Sequence, residues 1–348
     1  MDEPLTPPFE SPPDYGDWQA EYRALVERCA VTLRSERHLV RLSGQRPAEM
    51  LNGLVTNRVT GLETDGRHAL LLTPKGHVLT ELRVFPFGEF MLLDVPQEGL
   101  PNLLAAFKKY LPPLFATYED VSQSLALIGV YGPDAADPVA ELVGEIPDRH
   151  LGVREARVDE VDILVVRARR LAGEGVELVA PREAAGGLIE RLSAFLRDRD
   201  GRVAGSRAVE VVRVECGIPR YGIDISESNL AQETGLEDLA ISYDKGCYLG
   251  QEVVARIHFR GHVNRRLSGF TLVGGLPHGG AALREEGGKE AGKEAGLLTS
   301  AVESPDFGRI GLGYVRREVE AGTQLSWSDG GREGTATVID LPFRNPPV

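Results

Sequence analysis

The sequence predicts an α+β protein: two mixed lobes followed by a small antiparallel β-barrel. Three observations carry this. Over the first two-thirds of the chain, helical stretches and short strand pairs interleave without a regular strand–helix–strand alternation. From Leu267 onward, glycine-punctuated apolar runs at 267–273, 309–315, 324–327 and 335–339 have no helical period, as in a small barrel or sandwich. At 348 residues, 42% of them hydrophobic and 26% charged, the chain has the length and composition for two or three ordinary cores. These patterns place a disordered acidic lead-in at residues 1–17, the first lobe at 18–121, the second at 122–265 and the barrel at 266–348.

The elements follow from local pattern. Trp18 to Arg28 reads as a helix capped by Asp17. Strands are expected at 31–33 and 39–42, then a helix opened by Pro47, where the missing N–H does no harm. Residues 69–73 and 77–85 flank Pro74-Lys75-Gly76, a strong hairpin signal. A strand at 90–95 precedes a helix over 99–111, whose Leu100, Leu103, Leu104 and Phe107 share one face. The second lobe is read as a buried strand at 126–131, a short helix at 138–144, strands at 163–168 and 176–179, and a helix over 182–197. Ser206 is expected to cap a valine-rich helix that stops at Gly217-Ile218-Pro219. Glu285 to Gly296 has so few apolar groups that it is expected to be a mobile loop.

Composition excludes several function classes. No apolar run approaches membrane-spanning length. Residues 1–17 hold five prolines, five acids and no Lys or Arg, unlike the basic start and apolar block of a signal peptide. Three scattered cysteines, Cys29, Cys216 and Cys247, do not form a disulfide framework, so a reducing cytoplasmic location is expected. The net charge of −13 argues against generic, direct nucleic-acid binding. Locally, Arg256 to Arg266 has four arginines, two histidines and no acid; it reads equally as a site for an anionic ligand tail or as a solvated helix end. His258 and His262 are flanked by arginines without a nearby carboxylate or cysteine, and no metal site is expected.

The densest chemistry lies in Lys245-Gly246-Cys247-Tyr248-Leu249-Gly250-Gln251-Glu252. Val253, Val254 and Ile257 mark a short helix beyond it, and a start near Leu249 would put Cys247 at the positive end of that helix. Lys245 would lower the thiol pKa in the same direction. The plainer alternative is a small buried hydrophobe. Two carboxylates also stand out: Glu81 in an apolar strand, and Glu215 in the valine-rich helix. Such groups must find a partner or become neutral. A ligand with parallel N–H donors is one partner; water for Glu81 and an intra-helical pair with Arg213 for Glu215 are the others.

The octapeptide, followed by Ala255-Arg256 and Arg260-Gly261, resembles the signature of the YgfZ-type folate-binding proteins, relatives of the glycine cleavage aminomethyltransferase (T-protein). A looser resemblance runs from about Val40 to the C-terminus. It implies an aminomethyltransferase-like folate-binding fold and tetrahydrofolate, or a derivative, as cofactor. Gly76-His77-Val78-Leu79-Thr80-Glu81 matches the T-protein segment with two aspartates, placing Glu81 where the functional one sits. Arg213-Val214-Glu215 matches the helix whose Glu holds the pterin edge. His68, with Ala208 or Val209, falls where relatives offer aromatic rings. The implied role is an accessory factor for maturation or repair of an iron–sulfur client protein, affecting tRNA modification indirectly. Cys247, Lys245 and Glu81 would carry its chemistry; Glu215, Arg213, His68 and Glu81 would hold folate. The alternative is a true folate-dependent aminomethyltransferase, against which Thr80-Glu81 and the cysteine motif count.

Overall fold

The computed structural model describes residues 10–169, 171–197, 199–286 and 292–345. Its strands are β1 (Ala30–Leu33), β2 (Arg37–Ser43), β3 (Arg67–Leu72), β4 (Val78–Phe87), β5 (Phe90–Pro96), β6 (Thr117–Asp120), β7 (Leu125–Tyr131), β8 (Val153–Val158), β9 (Val161–Arg167), β10 (Gly175–Pro181), β11 (Arg202–Val203), β12 (Arg265–Val273), β13 (Ala281–Glu285), β14 (Glu294–Ser304), β15 (Gly308–Arg316), β16 (Gln324–Asp329) and β17 (Arg332–Ile339). The helices are α1 (Trp18–Glu27), α2 (Pro47–Asn52), α3 (Leu100–Tyr110), α4 (Ala136–Val143), α5 (Arg182–Arg197), α6 (Ser206–Glu215), α7 (Glu237–Ala240) and α8 (Gln251–Arg260).

Three sheets organise these elements: a five-stranded sheet in the order β3-β4-β5-β2-β6, a six-stranded sheet β11-β1-β7-β10-β9-β8, and a closed barrel β12-β15-β14-β13-β16-β17. The α+β class and the C-terminal barrel are as the sequence predicts. The short β6, β8 and β11 and the barrel strands β13 and β14 are additional to the sequence reading. β13 and β14 take over both ends of the expected 285–296 loop, and its centre, 287–291, lies outside the described residues.

The lobes interleave more than the chain order suggests. β1 leaves the first lobe and pairs antiparallel with β7 in the second sheet. Conversely, Tyr221, Ile225, Leu236, Ala240, Tyr248 and Val254 bury their apolar groups against Leu70, Leu72 and Val78 of β3 and β4. The segment carrying the cysteine motif therefore packs on the first sheet, not with the second lobe. The reason is area: Leu70, Leu72 and Val78 of β3 and β4 present an apolar face, and burying it is favourable at about 25 cal/mol per Å2.

Of the expected lead-in, residues 10–17 run against the start of α6; residues 1–9 lie outside the described residues. Ser206 and Arg207 donate backbone N–H bonds to the Pro12 and Pro13 carbonyls at 2.9 and 3.0 Å. Asp17 caps α1 through a 3.0 Å bond from Ala20 N. Ser206 is the first residue of α6 rather than its cap, which is Gly205. The β3–β4 turn closes through Gly76 at φ +78°, in the left-handed region that glycine tolerates best.

Candidate functional site: a charged cavity and a thiol loop

Where the two open sheets and α6 meet, the side chains enclose a cavity of about 170 Å3. Its wall includes Arg34 after β1, Arg37 at the start of β2, His68 on β3, Glu81 and Arg83 on β4, Tyr131 on β7 and Glu177 on β10. α6 adds Val209, Glu210 and Arg213, and Arg220 completes it. An alternating ladder of charges runs behind this wall. Glu81 joins Arg37 through one oxygen and His68 Nε2 through the other, the latter at 2.8 Å. Arg37 bonds Asp94 at 2.7 and 3.0 Å, and Asp94 also bonds Arg83. Arg83 Nη1 sits 2.6 Å from Glu177 Oε2, off the hydrogen-bonding line. Glu177 Oε1 accepts from Tyr131 at 2.5 Å and from Arg34 at 3.2 Å.

Burial alone would raise the Glu81 carboxyl. The Arg37 charge and the His68 bond outweigh it and hold Glu81 below the ordinary carboxylate range. Asp94 behaves in the same way between Arg37 and Arg83. Glu81 is thus an ionised carboxylate with both oxygens engaged, rather than a carboxylate waiting for a proton.

Arg213 and Glu215 cannot both face this cavity. They are two residues apart on α6, about 200° around the helix, and such positions do not share a face. Ser206, Val209, Glu210 and Arg213, at i, i+3, i+4 and i+7, form the cavity face. Ala208 is buried in the α1–α6 contact instead. Glu215 points the opposite way, fully buried, and accepts from Tyr22 OH at 2.8 Å, Ser304 Oγ at 2.5 Å and Arg344 Nε at 2.7 Å. Expected at a pterin's edge, Glu215 lies off the cavity in this structure and ties α1, the barrel and the C-terminal segment together. Arg213 is in the wall, but Glu210, Asp224, Ser300 and the Ile218 carbonyl occupy its guanidinium.

Glu210 faces the cavity in place of Glu215; Arg213 holds it at 2.7 and 2.8 Å, and its side chain keeps 31% of its exposure. Arg220 Nε is shielded and has no hydrogen-bond partner, while Nη2 makes a 3.3 Å contact to Glu98. Sequence reading missed Glu210, Arg220, Arg37, Asp94 and Glu177. The signal that singled out Glu81, a charge inside an apolar strand, is equally present at Asp94 in Phe90–Pro96 and Glu177 in Gly175–Pro181.

The cysteine motif lies away from that wall: none of Lys245, Gly246 or Cys247 lines the cavity. Cys247 is exposed, so the buried-hydrophobe alternative does not hold. Nor is it at the helix start, because α8 begins at Gln251 behind Gly250. Gly250 takes φ +85°, and a Cβ there would sit 2.7 Å from the Thr73 carbonyl, so the motif can seat against the β3–β4 turn only with glycine at this position. Lys245 points inward rather than at the thiol: it is buried and donates to the backbone carbonyls of Asn52, Val55 and Asn57 at 2.6, 2.6 and 2.9 Å. Within the basic stretch, Arg265 pairs with Glu233 at 2.9 Å and His258 stacks on Tyr243, while Arg256 and Arg260 are exposed.

The class the fold defines is an α+β body with a charged cavity between two sheets and a closed C-terminal barrel. The family follows from comparison with known proteins. The GCVT N-terminal domain model matches residues 7–245, and the glycine cleavage T-protein C-terminal barrel domain model matches residues 265–344. The chain belongs to the glycine cleavage T-protein family, which includes the YgfZ proteins. It is 27% identical over 342 residues to an aminomethyltransferase of Rubrobacter xylanophilus, covering 96% of this chain and 88% of the relative. It is 30% identical over 312 residues to the tRNA-modifying protein YgfZ of Yersinia pseudotuberculosis, covering 88% and 89%. The solved structure of the glycine cleavage system aminomethyltransferase T from Bartonella henselae superposes with a TM-score of 0.81 at 20% identity, covering 94% of this chain and 89% of that one. That likeness speaks to the fold.

Proposed function

We propose that this protein binds tetrahydrofolate in the inter-sheet cavity. In this reading it serves, in a reducing cytoplasm, as a YgfZ-type accessory factor for iron–sulfur enzymes, with Cys247 as its reactive thiol. The observation that carries the reading is the state of Glu81. By resemblance it stands where the transferase uses an aspartate, yet Arg37 and His68 occupy both its oxygens. A carboxylate so held is poorly placed to accept or deliver a proton, which favours an accessory role over aminomethyl transfer. The cavity's own groups suit the ligand. Glu210 keeps part of its side chain exposed, with lone pairs beyond those Arg213 takes for a pterin's paired N–H donors, and the Arg220 guanidinium in the cavity wall suits a carboxylate of the tail. Among the described residues no helix is long and apolar enough to cross a membrane.

Calorimetric titration with tetrahydrofolate tests this. The wild type is expected to bind, and Glu210→Ala to bind about tenfold or more weakly, through loss of a charge-assisted bond. Glu215→Ala is expected to lose stability but keep its affinity while folded. Absence of wild-type binding defeats the folate reading. Formation of methylene-tetrahydrofolate from an aminomethylated lipoyl carrier would make the transferase reading the right one. Tight tRNA binding with a steep salt dependence would overturn the expectation of an indirect link to RNA.

A further inference from the structure

The geometry points to Lys245 as the positioning residue of the thiol loop: its ammonium fills a cage of three backbone carbonyls and ties the Cys247 segment to the loop after α2. The proposal deepens the reading of Cys247 as the working thiol, and rests on that reading only for its functional meaning. The cage belongs to Asn52, Val55 and Asn57, which a turn at the end of α2 brings together. An ammonium has three N–H donors, and here each has its own carbonyl, so none remains for the sulfur. The cation also lies over the Tyr248 ring, 4.9 Å from its centre, a cation–π contact that adds to the carbonyl bonds. Around it the two segments run antiparallel and are stitched by Leu249 N to Gly53 O at 3.2 Å, Ser242 N to Thr56 O at 3.0 Å, and Thr56 Oγ1 to Ala240 O at 2.6 Å.

The same loop reaches the cavity. Asn57 offers its carbonyl to Lys245, while its side-chain amide donates to the His68 carbonyl at 2.9 Å and the Leu239 carbonyl at 3.0 Å. His68 in turn holds Glu81 in the cavity wall. One short loop thus sets the position of a cavity residue on one side and of the exposed cysteine on the other. Burial, and after it the charge of Arg58, push Lys245 down to about 8, while the three carbonyls favour its charged form.

Amide hydrogen exchange on wild type and Lys245→Met, with residue-resolved acetylation of the wild type, tests the assignment. Exchange is expected to rise together, about tenfold or more, in Asn52–Asn57 and Ile241–Leu249, as for a local opening of one unit. Methylammonium is expected to restore protection in the variant by refilling the cage. In the wild type, Lys245 is expected to react with acetic anhydride far more slowly than the exposed Lys75, Lys108 and Lys109; this holds as a test even should Lys245→Met fail to fold. Unchanged exchange in Asn52–Asn57, no rescue by methylammonium in a folded variant, or Lys245 acetylating as fast as the exposed lysines would overturn the proposal. A Cys247 that proves dispensable to the protein's cellular role, with the exchange results as expected, defeats the thiol reading and leaves the tether standing.

Discussion

Asp94→Ala is expected to unfold at a clearly lower urea concentration than the wild type, with an unchanged m-value and a loss of about 3–5 kcal/mol. Asp94 is completely buried and receives Arg37 through two nitrogens, at 2.7 and 3.0 Å, and Arg83 beside it. Removing the carboxylate leaves two neighbouring guanidinium groups inside a sheet with nothing between them. Desolvation then turns from a cost that was offset into one that is not. Arg37 retains Glu81 and Arg83 retains Glu177, which places the loss toward the lower end of that range. A shift below about 1 kcal/mol would mean that both arginines swing into the cavity and find water, and that the ladder is not a structural unit.

The second large effect is on the acid limb of stability. Glu81 and Asp94 both have folded-state values held below their ordinary ones, burial being outweighed by Arg37 with His68 for the first and by Arg37 and Arg83 for the second. For such groups the unfolded chain takes up protons first as pH falls. Their contribution is therefore complete above about pH 5, begins to fade near the ordinary carboxylate range and is lost as pH drops through the depressed values. Glu81→Gln should be less stable than the wild type at pH 7, and the difference should narrow steadily between about pH 5 and 3. Urea midpoints measured across that interval provide the check. Parallel curves for the two proteins would show that Glu81 titrates as an ordinary surface acid.

Much of the fold was legible because its signals are local. The Pro74-Lys75-Gly76 turn, the Asp17 cap and the apolar face of Leu103 and Phe107 need only neighbours in sequence to work, and each appears as read. The barrel was visible as a change of period, although β13 and β14 were hidden by a polar, glycine-rich stretch. Glu81 was also identifiable, since a charge in an apolar strand must be paired, whereas His68 was singled out only through the family resemblance. The partners of Glu81 were not legible: Arg37 lies 44 residues from Glu81 in sequence, and no periodicity encodes which strand stands beside which.

What the sequence determined by itself, then, is the set of elements, the α+β class with its terminal barrel, and the presence of charges too buried to stand alone. What only the tertiary structure decided is direction. The winding of α6, about 140° between positions five residues apart, sends Glu215 to the barrel and Glu210 to the cavity, and the packing of residues 221–254 on β3 and β4 leaves Cys247 on the surface and Lys245 buried. Both outcomes depend on which faces meet, and that is settled by the apolar area the whole chain can bury at once, which no window of residues contains.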